Sequence, residues 1–241
     1  MTGWRHDSPP LKKRWPARLR KRRNGSLEVC DRGEIVAESF VTEAALVQAC
    51  AVLRSGGVVA FPTETYYGLA VDPFNQAAVS RLFALKGRSP DKPVLLIIDN
   101  SSQLARLVAE IPPPFPLLME RFWPGPLTLV FPAAQSLPAM LTGSRGTIGV
   151  RVSSNPVAQK LVKAFGRPIT ATSANFSGQP AAVAADGVFA QLGPEVDGVL
   201  DGGLTPGGQG STLLGYQEGK ICLLRAGVIP FARIEAALTG A

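Results

Sequence analysis

Histidine is almost missing from this chain. The one present, His6, stands near the N-terminus, so a histidine base or a histidine-ligated metal is nearly excluded from any core site. Cysteine is scarce too. Cys30, Cys50 and Cys222 are odd in number and far apart, fitting neither a disulfide framework nor a paired-cysteine metal knuckle, and they point to a reducing cytoplasm. No apolar run reaches the ~18 residues that cross a bilayer. The first 25 residues also lack the apolar stretch of a secretory signal. The expectation is a soluble, cytoplasmic protein with no membrane partner.

Acid is scarce only at the start. Residues 1–25 hold nine Lys or Arg against one acid, leaving 16 against 17 in the rest, so the net charge of +7 is a property of the tail. With its prolines and few apolar residues this segment cannot bury enough surface to fold alone. We read 1–28 as a basic, disordered extension that touches RNA, stays solvated or serves as an organellar transit peptide, and 30–241 as one domain. A chain of 241 residues with 46% hydrophobic and 18% charged residues can build a sizeable core.

From residue 34 the pattern alternates between strand and helix. Residues 34–37 read as a strand; Thr42 caps a helix to Arg54, stopped by Gly56; 57–61 is a buried strand that enters a polar turn at Thr63, Glu64 and Thr65. Further helices are expected over 76–86, 101–110, 156–165 and 231–238, with three prolines breaking the chain before 117–123. Further strands are expected over 93–98, 127–131, 147–152, 168–172, 211–216 and 220–225. Residues 185–210, rich in glycine, read as loose, and 202–210 within them as a mobile loop or a ligand-side wall. The alternation predicts an α/β domain with a twisted, mixed sheet flanked by helices.

Several strand ends carry the same chemistry: Thr63 and Thr65; Lys86 and Arg88; Arg151; Thr172, Ser173 and Asn175; and Arg225. Cations with small hydroxyls suit phosphate, because a guanidinium offers a planar fork and hydroxyls add donors. Each has a plainer reading as well. Lys86 complements a helix C-terminus, Arg151 could be ion-paired, Ser173 and Asn175 could form an ordinary turn, and Tyr66 and Tyr67 could be core.

Five stretches in order, PTETYYGL, KGRSPDKP, WPGPLTLVF, GVRV and TSANFSG, resemble the YrdC/Sua5 family of threonylcarbamoyl-AMP synthases over about residues 40–230. The resemblance implies a YrdC-like domain with a basic concave groove. It implies a nucleotidyltransferase that makes L-threonylcarbamoyladenylate and pyrophosphate from L-threonine, bicarbonate or CO2 and ATP, for t6A modification of tRNA by a downstream threonylcarbamoyl transferase complex. By similarity Lys86, Arg88, Ser173 and Asn175 form the catalytic tetrad, and Thr65, Arg151 and Ser211 hold L-threonine. Arg88, Lys92, Thr147, Ser173 and Arg225 face ATP, and Mg2+ arrives with ATP, so no protein metal site is implied.

The chain departs from the family pattern in three places. Gly210 stands where the family has an acid, Ser89 displaces a proline to Pro90, and Pro180-Ala181-Ala182 replaces a Ser-Pro-Thr stretch. It resembles the short form, without the extra C-terminal domain of the longer branch. Two rival readings are a non-catalytic module for double-stranded RNA or tRNA, and a relative of the domain found in hydrogenase-maturation proteins. The latter's cysteine-rich zinc motifs do not occur in this sequence.

Overall fold

The computed structural model describes residues 41–87, 89 and 93–239. The expected basic extension, His6, Cys30 and the strand at 34–37 lie outside them.

Helix α1 (Glu43–Arg54) starts where the Thr42 hydroxyl accepts the Ala45 N–H, and buries Leu46, Ala49, Cys50 and Leu53. The chain then enters β1 (Val59–Pro62), turns at 63–66 and returns antiparallel as β2 (Tyr67–Ala70). No strand was expected at 67–70. The turn is built from Thr-Glu-Thr-Tyr rather than Asn or Gly: the Thr63 hydroxyl accepts the N–H groups of Thr65 and Tyr66, closing the hairpin with a side chain.

Helix α2 (Gln76–Lys86) has Asn75 as its N-cap and Gly87 as its C-cap, at φ 58°, where a side chain would be strained. Of the apolar run 93–98 only β3 (Leu96–Ile97) is regular; the Val94 amide bonds to the Leu141 carbonyl and the Ile98 amide to the Arg151 carbonyl. A 3-10 turn at Ser101–Arg106 precedes α3 (Phe115–Phe122), and the Trp123–Pro124 peptide is cis. Next come β4 (Leu127–Pro132), a short α4 (Ala139–Thr142) and β5 (Thr147–Arg151). Helix α5 (Pro156–Phe165) has Asn155 capping two amides and proline at its first turn.

The strand expected at 168–172 is two short ones, β6 (Ile169–Thr170) and β7 (Thr172–Ser173), which belong to different sheets. The region expected to be loose contains α6 (Ala185–Leu192) and β8 (Gly198–Val199). Gly187 masks this helix in sequence. Tertiary burial of Ala185, Val188 and Leu192 overrides its poor propensity. The hairpin β9 (Thr212–Gln217) and β10 (Lys220–Arg225) and helix α7 (Phe231–Thr239) complete the described chain.

The strands part into two mixed sheets rather than one, in the orders β7-β2-β1-β8 and β10-β9-β4-β5-β3-β6. The smaller sheet is buried on both faces. Val58 and Ala60 join the core under α2, while Val59 and Phe61 join the one under α1 and α5, which explains the continuous apolar run there. In the larger sheet, β4 and β5 send Leu127, Leu129, Phe131, Ile148 and Val150 to the core. The alternate residues of these strands face the other way, and period-two alternation therefore gathers polar groups on one side. Among the described residues no helix is long and apolar enough to cross a membrane.

Candidate functional site

A cavity of about 670 Å³ is bounded by parts of both sheets: the β1–β2 turn, β4 and β5, the β6–β7 junction, and the approaches to β9 and β10. Thr65, Thr147, Arg151, Ser173, Ser211 and Arg225 all line it. The fold brings together six expected site residues from five separate segments. Arg145 joins them as a third arginine, one the sequence reading did not single out.

Strand β5 contributes one face. Thr147, Gly149 and Arg151 alternate with Ile148 and Val150, so the cavity receives a hydroxyl and a guanidinium with a glycine between them. Gly149 leaves room for its neighbour: a Cβ there would come too close to a Leu95 methyl and force that side chain to shift.

Arg151 is buried, and its Nη1 lies 3.0 Å from Glu64 Oε1. The angle does not make this a hydrogen bond, so Nε and Nη1 have no hydrogen-bond partner among the described residues. Burial pushes this guanidinium below its ordinary pKa, Glu64 pulls it back up, and Arg225 lowers it further. Glu64 is held from behind by the Ser153 hydroxyl, which donates to Oε2. A buried guanidinium with donors to spare and one fixed counter-ion is suited to a ligand carboxylate.

Arg225 reaches back from the end of β10. Its Nη2 donates to the Ser211 carbonyl at 2.8 Å and to the Ser211 hydroxyl at 3.1 Å, and burial lowers its pKa too. Thr128, wholly buried on β4, donates to the same hydroxyl at 2.8 Å.

Lys86 does not line the cavity but stands behind Ser173. Its ammonium donates to the Ser173 carbonyl, to the Asn175 carbonyl at 2.8 Å and to Asn175 Oδ1 at 3.1 Å. The Ser173 hydroxyl donates to Asn175 Oδ1 at 2.6 Å, and Asn175 Nδ2 donates to the Gln179 carbonyl. Three of the four expected tetrad members therefore touch one another. Arg88 and Lys92 lie outside the described residues.

The glycine-rich stretch is a wall rather than a free loop. Gly207 N–H donates to the Thr65 carbonyl at 2.7 Å, the Tyr66 hydroxyl to the Gly208 carbonyl at 2.8 Å and the Tyr67 hydroxyl to the Gly203 carbonyl at 2.8 Å. The two tyrosines thus join the hairpin turn to 202–210, whose far end, Gly210, lines the cavity. Burial, with the Asp201 carboxylate assisting, pushes the Tyr67 phenol up to about 12. Ala181 also lines the cavity, so one of the expected departures presents a methyl group there.

Sequence reasoning gave no role to Glu64, Ser153 or Thr128. Thr128 carried a signal, as the lone hydroxyl in the apolar run LTLVF. Glu64 could be read only as part of a polar turn, since its partner is 87 positions further along in Arg151.

The chain is similar to several known proteins. The threonylcarbamoyl-AMP synthase of Pyrococcus abyssi is 41% identical over 187 residues, covering 78% of this chain and 55% of that protein. The protein of the same name from Vibrio cholerae serotype O1 is 46% identical over 159 residues, covering 65% and 85% respectively. The crystal structure of Pyrococcus abyssi Sua5 complexed with L-threonine superimposes with a TM-score of 0.77 at 40% identity, covering 80% of this chain and 56% of that one. The chain thus spans little more than half the length of the archaeal relative. The family model for Sua5, YciO and YrdC, described as telomere recombination, matches residues 51–227, and the chain belongs to the Sua5/YciO/YrdC family.

Proposed function

We propose that this protein is an L-threonylcarbamoyladenylate synthase, a nucleotidyltransferase acting on L-threonine, bicarbonate or CO2 and ATP. The observation that carries this reading is the meeting of Thr65, Arg151 and Ser211 with Thr147, Ser173 and Arg225 around one cavity. The names of the relatives, and the L-threonine in the Pyrococcus abyssi structure, support it.

Arg151 takes the carboxylate of L-threonine, with Glu64 holding the guanidinium charged and aimed. Thr65 and Ser211 contact the rest of the amino acid. Once the amine has combined with CO2, a carbamate oxygen attacks the α-phosphate of ATP; a new P–O bond forms there, the bond to the β-phosphate oxygen breaks, and pyrophosphate leaves. No covalent nucleophile is needed, so orientation and charge neutralisation suffice, and a core without histidine is no handicap.

Arg225, Ser173 and Thr147 face the nucleotide, together with Arg88 and Lys92. Lys86 and Asn175 fix the Ser173 turn, and the Lys86 ammonium adds positive charge behind it. The charged side chains lining the cavity are arginines, and among the described residues no three of His, Cys, Asp and Glu cluster as metal ligands. This donor set fits Mg2+ entering on ATP, held by phosphate oxygens. The product is a mixed anhydride, a donor for a threonylcarbamoyl transferase acting on tRNA in the cytoplasm.

The test is pyrophosphate release by the full chain from ATP and bicarbonate, with and without L-threonine. Release should depend on L-threonine, fall strongly in Arg88→Ala, and survive deletion of residues 1–25. Equal release without L-threonine, or none with it, overturns the reading.

A further inference from the structure

We propose that Thr128 is a positioning residue that fixes the polarity of a cavity hydroxyl, so that Ser211 donates to the bound amino acid. The inference rests on the reading of the cavity as an amino-acid site.

A hydroxyl has one proton and two lone pairs, so its bonds can be counted. Thr63 Oγ1 donates to the Tyr66 carbonyl at 2.7 Å, which spends its only proton. It accepts from the amides of Thr65 and Tyr66 at 3.2 and 3.3 Å, which fills both lone pairs. On this wall the Thr63 hydroxyl is saturated within the turn and has nothing left for a ligand.

The opposite wall differs. Ser211 Oγ accepts from Thr128 at 2.8 Å and from Arg225 at 3.1 Å, so both lone pairs are occupied. Its proton has no acceptor among the described residues, although Ser211 is only 3% exposed. A buried donor of this kind is costly unless a ligand satisfies it. Thr128 is 0% exposed and does not line the cavity, so it acts on a ligand only through Ser211.

The cavity therefore asks for a ligand with an acceptor oxygen for Ser211, besides the anionic group for Arg151. L-Threonine carries both. An apolar ligand of the same size leaves the Ser211 proton unpaired.

The experiment is calorimetric titration of L-threonine into the full-length wild type and the variants Thr128→Val and Thr128→Ser, each checked for folding by thermal melting. ATP titration is the control. Thr128→Val should bind L-threonine about fivefold to tenfold more weakly, the loss of one oriented hydrogen bond, while Thr128→Ser recovers most of it. ATP affinity should hold in both. If Thr128→Val does not fold, Thr128→Ala takes its place. A folded Thr128→Val that binds L-threonine like the wild type overturns the polarity assignment and leaves the synthase reading standing. A wild type that binds no L-threonine overturns the reading of the cavity, and this inference with it.

Discussion

The ammonium of Lys86, at the end of α2, lies 2.8 Å from the carbonyl of Asn175 and 3.1 Å from its side-chain oxygen, across 89 positions of sequence. The cation closes a turn whose serine faces the cavity. Its position at a helix C-terminus, which alone would explain a lysine there, is not its whole role. Lys86→Met keeps the buried stem and removes the charge, leaving the acceptors around it without their cation. The variant should lose about 2–4 kcal/mol of stability, since hydrogen bonds to charged groups are the stronger ones. Urea unfolding measures it, and activity should fall in parallel because Ser173 loses its support.

Arg151 and Glu64 predict a charge dependence. Binding of a carboxylate needs the guanidinium charged, and burial works against that form while Glu64 favours it. Glu64→Gln removes the favourable charge and the fixed partner of the guanidinium, so it should raise the KM for threonine more than the KM for ATP, read by steady-state kinetics. Arg151→Lys, which loses the fork, should raise the KM for threonine about tenfold or more and leave the KM for ATP nearly unchanged.

Arg225 Nη2 donates to both the carbonyl and the hydroxyl of Ser211, and the side chain also faces the expected ATP side. Arg225→Ala should raise KM for both substrates, whereas Thr147→Ala should raise it for ATP alone. Steady-state kinetics with each substrate varied in turn separates the two outcomes.

Tyr67 predicts a spectroscopic signature. Its phenol is pushed up to about 12, above the ordinary value of 10.0, by burial first and by Asp201 second. The folded state thus holds this proton more tightly than the unfolded chain. The stability it contributes is complete below pH 10.0 and is lost as pH rises from there toward 12. Absorbance at the phenolate band should show one tyrosine titrating late, and Tyr67→Phe should remove that component alone.

Much of the fold was legible where a local signal was strong. Asn75 with Gly87, and Asn155-Pro156 with Gly166, bracket two helices with capping chemistry that needs no tertiary context. The partition into two sheets was not legible, because only Ala171 separates β6 from β7 and nothing local marks the change of partner. Helix α6 was hidden by Gly187, and β2 by a turn closed with threonine hydroxyls. At the site, the resemblance pointed to Lys86 and Asn175, which do not line the cavity, and to Thr65, Thr147, Arg151, Ser173, Ser211 and Arg225, which do. The groups behind them, Glu64, Ser153 and Thr128, act through partners distant in sequence, and such pairings exist only once the strands are registered.

The most direct test of the central claim supplies 13C-bicarbonate, L-threonine and ATP to the purified full-length chain and identifies nucleotide products by mass spectrometry. The account predicts an adenylate that carries both the labelled carbon and threonine, formed in step with pyrophosphate. Unlabelled AMP as the only nucleotide product, or pyrophosphate released at the same rate when L-threonine is left out, would contradict it.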